Sequence, residues 1–251
     1  MSSDRKIKNN IVDIDIDGII KKSIKKQLGG IEPVLSENVS TDTLLTTEAY
    51  HHEPKPFKQV SELVSQKTKN SHTDLYKGYV ESLNKTSAEL DTVDRADSNP
   101  RHSKYRSLKL DEVFNLNAAW LHELYFSNCF DPHSEVTMDS MAFLRIERDF
   151  GSFEDWQRDF MACALSSQNG WAVMGYHMFL RKFVNVMIDG HDGHVPVGFY
   201  PVVVVDMWEH SYYRDYLSDK KSYLISQMRE FNWNVIEERV KKAEALGQVL
   251  R

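Results

Sequence analysis

The run PVVVVDMWEH at 201–210 places a carboxylate, Asp206, four residues ahead of an imidazole, His210. Four valines before the acid read as a buried strand, and the residues after it read as the start of a helix. An acid at a strand end and a histidine on the next helix can face one cavity. A hard carboxylate beside a borderline imidazole suits manganese, iron or zinc. The competing reading is a capping Asp and a hydrogen-bonded core His. Other candidates are weaker. His51-His52 and the pair His191 and His194 in DGHDGH have ligand-like spacing, but each equally describes a polar loop. DIDIDG at 13–18 resembles the opening of a calcium loop, yet its twelfth position is Ile24 where a bidentate Glu belongs. There is no GxSxG and no glycine-rich phosphate loop, and Cys129 and Cys163 lie in apolar helical surroundings.

Several elements must position these groups. A helical pattern runs from Phe57 to about Leu90, breaks at the polar stretch around Asn99-Pro100, and resumes in KLDEVFNLNAAWLHELYFSNCF. Shorter helices are expected at Met138 to Glu147 and Ser152 to Ala164. From Gly170 the period changes, and WAVMGYHMF, LRKFVNVMI and YPVVVVDMW read as strands separated by turns. A last helical region covers Ser222 to Leu246. The expected fold class is α+β: an N-terminal α-helical hairpin, then a C-terminal part with a small three-stranded antiparallel sheet flanked by helices. The domain reading is 1–53 an arm, 54–132 the hairpin and 133–251 the α/β part. Within the arm, Ile16 to Leu28 reads as a short amphipathic helix with lysines opposite its isoleucines.

Composition narrows the class. The chain has 251 residues, 41% of them apolar and 27% charged, which excludes wholesale disorder, a fibre and a bundle of membrane helices. A net charge of −6 leaves no nucleic-acid footprint at whole-chain level. Two cysteines make no disulfide framework, and nothing at the N-terminus resembles a signal peptide. A cytoplasmic location is the default expectation, with a place in a virion or other large assembly as the alternative.

The longer motif DMWEHSYYRDYLSDKKSYL, with FNWN at 231–234, resembles the C-terminal signature of the iron/manganese superoxide dismutases. FGSFEDWQRDF, QNGWA, AAWLHELYFSNC and VSQKTKNSHTDLYKGYVESLN are similar to further stretches of that family, so the resemblance covers about residues 54 to 245.

The resemblance implies one redox metal, Fe or Mn, held by three His and one Asp. Asp206, His210 and His122 match directly. The fourth ligand is His72 in the register read from VSQKTKNSH, or is lost to Ser71 in the register read from YVxxLN. Holding both His72 and Tyr79 in family positions would then require a bulge or tightened turn in the first helix. Tyr79 corresponds to a proton-relaying tyrosine, and His191 to a residue that tunes the metal-bound solvent. Trp171 and Trp208 match aromatic positions shielding the site, while Glu209 and Tyr213 match positions at a homodimer interface. Leu-Tyr-Lys stands where the family has Lys-His-His, Phe126 and Leu121 replace a Trp and an Asn, and Lys220 replaces an Arg.

The implied function is disproportionation of superoxide to oxygen and hydrogen peroxide. The alternative is a structural component that keeps the fold and uses its N-terminal arm to bind a neighbouring protein.

Overall fold

The computed structural model describes residues 49–129 and 134–249. The DIDIDG stretch and the amphipathic helix expected for the arm lie outside them. Seven helices and three strands are found among the described residues: α1 (Gln66–Thr92), α2 (Lys104–Cys129), α3 (Met141–Phe150), α4 (Phe153–Ser166), β1 (Gly170–His177), β2 (Lys182–Asp189), β3 (Phe199–Asp206), α5 (Glu209–Tyr216), α6 (Lys220–Arg229) and α7 (Trp233–Val249). This is the expected α+β layout of helices followed by a small sheet and more helices.

Local chemistry sets the boundaries. Ser65, Ser140, Ser152 and Asp219 cap α1, α3, α4 and α6, each side chain accepting from a backbone N–H three residues on. The first helix therefore starts eight or nine residues later than the pattern from Phe57 suggests. The segment between is not helical; Phe57 instead packs edge-on to Tyr76 and against Phe126, with ring centroids 6.1 and 5.2 Å apart. The last helical region is two helices, α6 and α7, parted where Glu230 ends the first.

The sheet is antiparallel in the order β2-β1-β3. Central β1 is buried along nearly its whole length, consistent with its apolar run GWAVMGY. Its pairing with β3 shifts at Met174/Gly175, and Pro201 sits at that irregularity, where a missing N–H disturbs the ladder least. A Cβ at Gly175 would overlap the Phe199 ring and the Tyr200 carbonyl, so the close strand approach needs glycine there.

The core lies between the sheet and the helices. Trp156, Phe160, Phe231, Tyr125 and the four valines 202–205 are fully buried or nearly so. Arg239 of α7 is buried, and no carboxylate among the described residues pairs with it. Its guanidinium instead donates to the carbonyls of Val202 and Leu124 and to Asn128 and Ser127, tying α7 to α2 and β3. Cys129 and Cys163 are free thiols. Burial pushes the Cys129 thiol up to about 12. Among the described residues no helix is long and apolar enough to cross a membrane.

Candidate metal centre

Strand β3 delivers Asp206 to the C-terminal edge of the sheet, opposite Trp171 at the start of β1. The next turn opens α5, whose second residue is His210. Asp206 Oδ1 accepts from the Trp208 backbone N–H at 2.8 Å, which fixes the carboxylate and aims Oδ2 inward. The Tyr223 hydroxyl and Ser211 Oγ donate to the Asp206 carbonyl, holding the strand-to-helix turn.

Helices α1 and α2 supply the other two groups. His72 Nε2 lies 3.0 Å from Asp206 Oδ2, His210 Nε2 3.1 Å and His122 Nε2 3.9 Å. One nitrogen from each imidazole and one carboxylate oxygen all fall within 4.8 Å of one another, and no other group of this kind exists among the described residues. His72, His122 and Asp206 are buried, whereas the His210 side chain keeps 28% of its surface exposed.

His72 is thus the histidine in the cluster. Ser71 points outward, its hydroxyl donating to the Lys67 and Thr68 carbonyls of its own helix. The expected bulge is absent, and α1 is regular from Gln66 to Thr92. Seven residues turn an α-helix through roughly 700°, about 20° short of two full turns, so His72 and Tyr79 share one face without distortion.

The donor chemistry fits a cation. His122 Nδ1 lies 2.6 Å from the Ala118 carbonyl one turn back, so it carries the proton and leaves Nε2 with a free lone pair. That Nε2 is buried with no hydrogen-bond partner. An orphaned acceptor of this kind costs about 1–3 kcal/mol unless something electropositive meets it. Burial pushes the His72 imidazole down and the His122 imidazole well down, favouring the neutral, ligating forms. Burial alone would raise the Asp206 carboxyl, but the charge and hydrogen bonds of His210 and His72 outweigh it and keep the group ionised. Three imidazoles that ligate through a lone pair and one carboxylate would present a donor set of net charge −1, suited to a borderline divalent or trivalent ion.

A second layer of side chains encloses the cluster. Trp171 Nε1 donates to His191 Nδ1 at 3.0 Å, and His191 Nε2 lies 3.0 Å from the Tyr79 hydroxyl. Burial lowers the His191 pKa to about 4, so the ring is neutral near pH 7. Because Nδ1 accepts, Nε2 holds the proton and donates to the Tyr79 oxygen. The Tyr79 O–H is thereby left free to donate elsewhere, and burial raises its pKa. Trp171 packs edge-on to His122 at 4.9 Å, and Trp208 stacks on His191 and His210 at 5.3 and 5.8 Å. Lys220 Nζ donates to the Ser167 and Gln168 carbonyls just ahead of β1.

Residues 140–239 match the family model of the iron/manganese superoxide dismutases, C-terminal domain. A "Superoxide dismutase [Fe]" of Aquifex pyrophilus is 32% identical over 179 residues, spanning 70% of this chain and 83% of that protein. The chain belongs to the iron/manganese superoxide dismutase family. A "Superoxide dismutase [Mn]" of Haloarcula marismortui is 31% identical over 172 residues, 68% of this chain and 82% of its own. A "Superoxide dismutase [Fe]" of Cupriavidus metallidurans is 36% identical over 160 residues, 63% of this chain and 78% of its own.

Other residues gain importance only from this superoxide dismutase fold. Phe114 of α2 packs edge-on to His191 at 4.7 Å and also touches Tyr79. Glu123, next to His122, is buried and accepts from the Tyr76 hydroxyl at 2.9 Å, with His52 Nε2 at 2.6 Å and the Lys55 ammonium also on its carboxylate. An acid inside the apolar run AAWLHELYF was the available signal for that cluster. The histidines singled out by spacing separate: His51 and His52 pair with Glu53 and Glu123, exposed His194 lies 3.7 Å from Asp189, and only His191 reaches the site.

Proposed function

We propose that this protein is a superoxide dismutase with a mononuclear Fe or Mn site, held by His72, His122, His210 and Asp206. The observation that carries the reading is the buried, otherwise unpartnered Nε2 of His122, aimed at the same point as two further imidazoles and a carboxylate. When bound, the metal supplies one-electron exchange, so that two superoxide anions and two protons give one oxygen and one hydrogen peroxide.

The chain's own residues supply position, exclusion and protons. The Ala118 carbonyl and the Trp208 backbone N–H hold His122 and Asp206 in ligating orientation. Trp171, Trp208 and Phe126 pack around the cluster and restrict water, strengthening every electrostatic interaction inside it. Tyr79, its oxygen engaged by the His191 Nε2–H, keeps its own hydroxyl proton free to donate toward the cavity. Partly exposed His210 marks the side from which a small anion enters. Glu209 and Tyr213 lie exposed on α5 beside it, and on this reading they form the homodimer contact that narrows the entrance.

The decisive test is metal content per chain, by elemental analysis of protein from cells supplied with both metals, followed by a superoxide-consumption assay. The expected result is close to one Fe or Mn per chain with turnover, both lost in His122→Ala. Folded protein without metal would overturn the reading and favour a structural component of a larger assembly. Bound metal without turnover would overturn the catalytic part alone.

A further inference from the structure

The far end of the sheet carries a surface that the metal centre does not use. Phe179 and Val197 are 88% and 93% exposed, the two most exposed large apolar side chains among the described residues. They belong to neighbouring tips. The Met178 N–H donates to the Gly198 carbonyl at 2.9 Å, so the β1–β2 turn and the loop entering β3 are hydrogen-bonded one residue away from each side chain. Leu180, 53% exposed, adds to the same patch. The sequence pattern places Phe179 and Leu180 at the adjoining ends of two strands; they form the turn itself. Hairpin turns are normally built from Gly, Asn, Asp and Ser, so Phe-Leu at this tip departs from what the backbone asks for.

The tips are held firmly. The Arg181 N–H donates to the His177 carbonyl at 2.8 Å, and Arg181 and Gly198 take the left-handed φ values, 55° and 73°, that close the two turns. Their charge is one-sided. Segments 177–184 and 193–201 contain Arg181 and Lys182 but no Asp or Glu, in a chain whose net charge is −6. Both cations are exposed. Protruding apolar tips with Arg181 and Lys182 exposed beside them, the nearby Asp149 carboxylate being largely buried on the Phe183 N–H and paired with Arg148, match the interface of an anionic bilayer: apolar groups enter the acyl boundary while cations stay among the headgroups. β1 separates the patch from Trp171 by six residues, roughly 20 Å at strand rise, so membrane contact leaves the metal centre uncovered.

We propose that this end of the sheet is a peripheral membrane-contact surface. On it, Phe179, Leu180 and Val197 enter the interface of an anionic phospholipid bilayer, and Arg181 and Lys182 bind its headgroups. The test is flotation of the full chain with phosphatidylcholine vesicles prepared with and without phosphatidylserine. Lys21, Lys22, Lys25 and Lys26 of the N-terminal segment could also attract anionic lipid, so the variants decide the outcome. The double variant Phe179→Ser/Val197→Ser should lose binding about tenfold or more. Arg181→Gln/Lys182→Gln should lose about fivefold per cation, on the phosphatidylserine vesicles alone. Both variants should keep the wild-type metal content and unfolding temperature. Undiminished binding by either variant, equal binding to neutral vesicles, or no binding by the wild type overturns the proposal; the last would point to an acidic protein partner instead.

Discussion

Glu123 offers a sharp test of how this fold holds the helices that carry His72 and His122. Its side chain is 8% exposed and takes the Tyr76 hydroxyl, His52 and Lys55. Glu123→Ala removes a charged acceptor and leaves the fully buried Tyr76 hydroxyl with only the Lys55 backbone N–H, to which it cannot donate. Burying that unsatisfied donor costs about 1–3 kcal/mol. Lys55 and His52 are 58% and 37% exposed and rehydrate, so their share is discounted to about 1 kcal/mol together. The expected loss is therefore about 2–4 kcal/mol, or roughly 6–12 °C in Tm for a domain of this size. A cycle with Tyr76→Phe isolates the hydroxyl: the coupling should be about 1.5–3 kcal/mol, because the acceptor is charged. The sign with pH is fixed as well. Burial opposes the charge, but hydrogen bonds from Lys55, His52 and Tyr76 outweigh it and hold the carboxyl below its usual range. Its contribution is complete above the unfolded pKa, about 4.3, and disappears as pH falls through the lower folded value. Urea unfolding of wild type and variant from pH 7 to pH 3 measures this. A difference below 1 kcal/mol at pH 7, or one that does not shrink in acid, would refute the reasoning.

Three further outcomes are expected. His72→Ala should abolish stoichiometric metal binding, whereas Ser71→Ala, which removes hydrogen bonds to its own helix and one 3.3 Å bond from the exposed Arg214 guanidinium, should leave it intact by elemental analysis. Trp171→Phe removes the donor that fixes the His191 tautomer; superoxide consumption should fall about 10- to 100-fold while the fold persists by circular dichroism. In the metal-free protein, His191 is favoured neutral, with a folded pKa of about 4 against about 6.5 unfolded. It contributes full stability above pH 6.5 and loses it as pH falls toward 4, so His191→Gln should flatten the fall in unfolding free energy across that window by up to about 3 kcal/mol.

The sequence by itself determined a great deal here. Four valines ending in Asp206, then His210 one helical turn on, require a strand end and a helix start at one place, because both spacings are local. The serine and aspartate caps, the buried central strand and the DGHDGH turn are also short-range consequences of residue type. The α+β order followed from the change of hydrophobic period at Gly170. Tertiary structure decided what spans long separations. His72 and His122 lie 134 and 84 residues from Asp206, and only the packing of α2 against β3, and of α1 against α2 and α5, brings their nitrogens to its oxygen. The choice between His72 and Ser71 turned on which face of α1 meets the core, a one-residue question that periodicity at a worn motif leaves open. The two tips at the other end of the sheet were hidden for a related reason. Phe179 and Leu180 look like strand residues by composition, and strand pairing alone decides that β1 stops at His177. Glu123 shows the same limit: an acid in an apolar helical run is costly until a distant segment brings it a lysine, a histidine and a tyrosine hydroxyl.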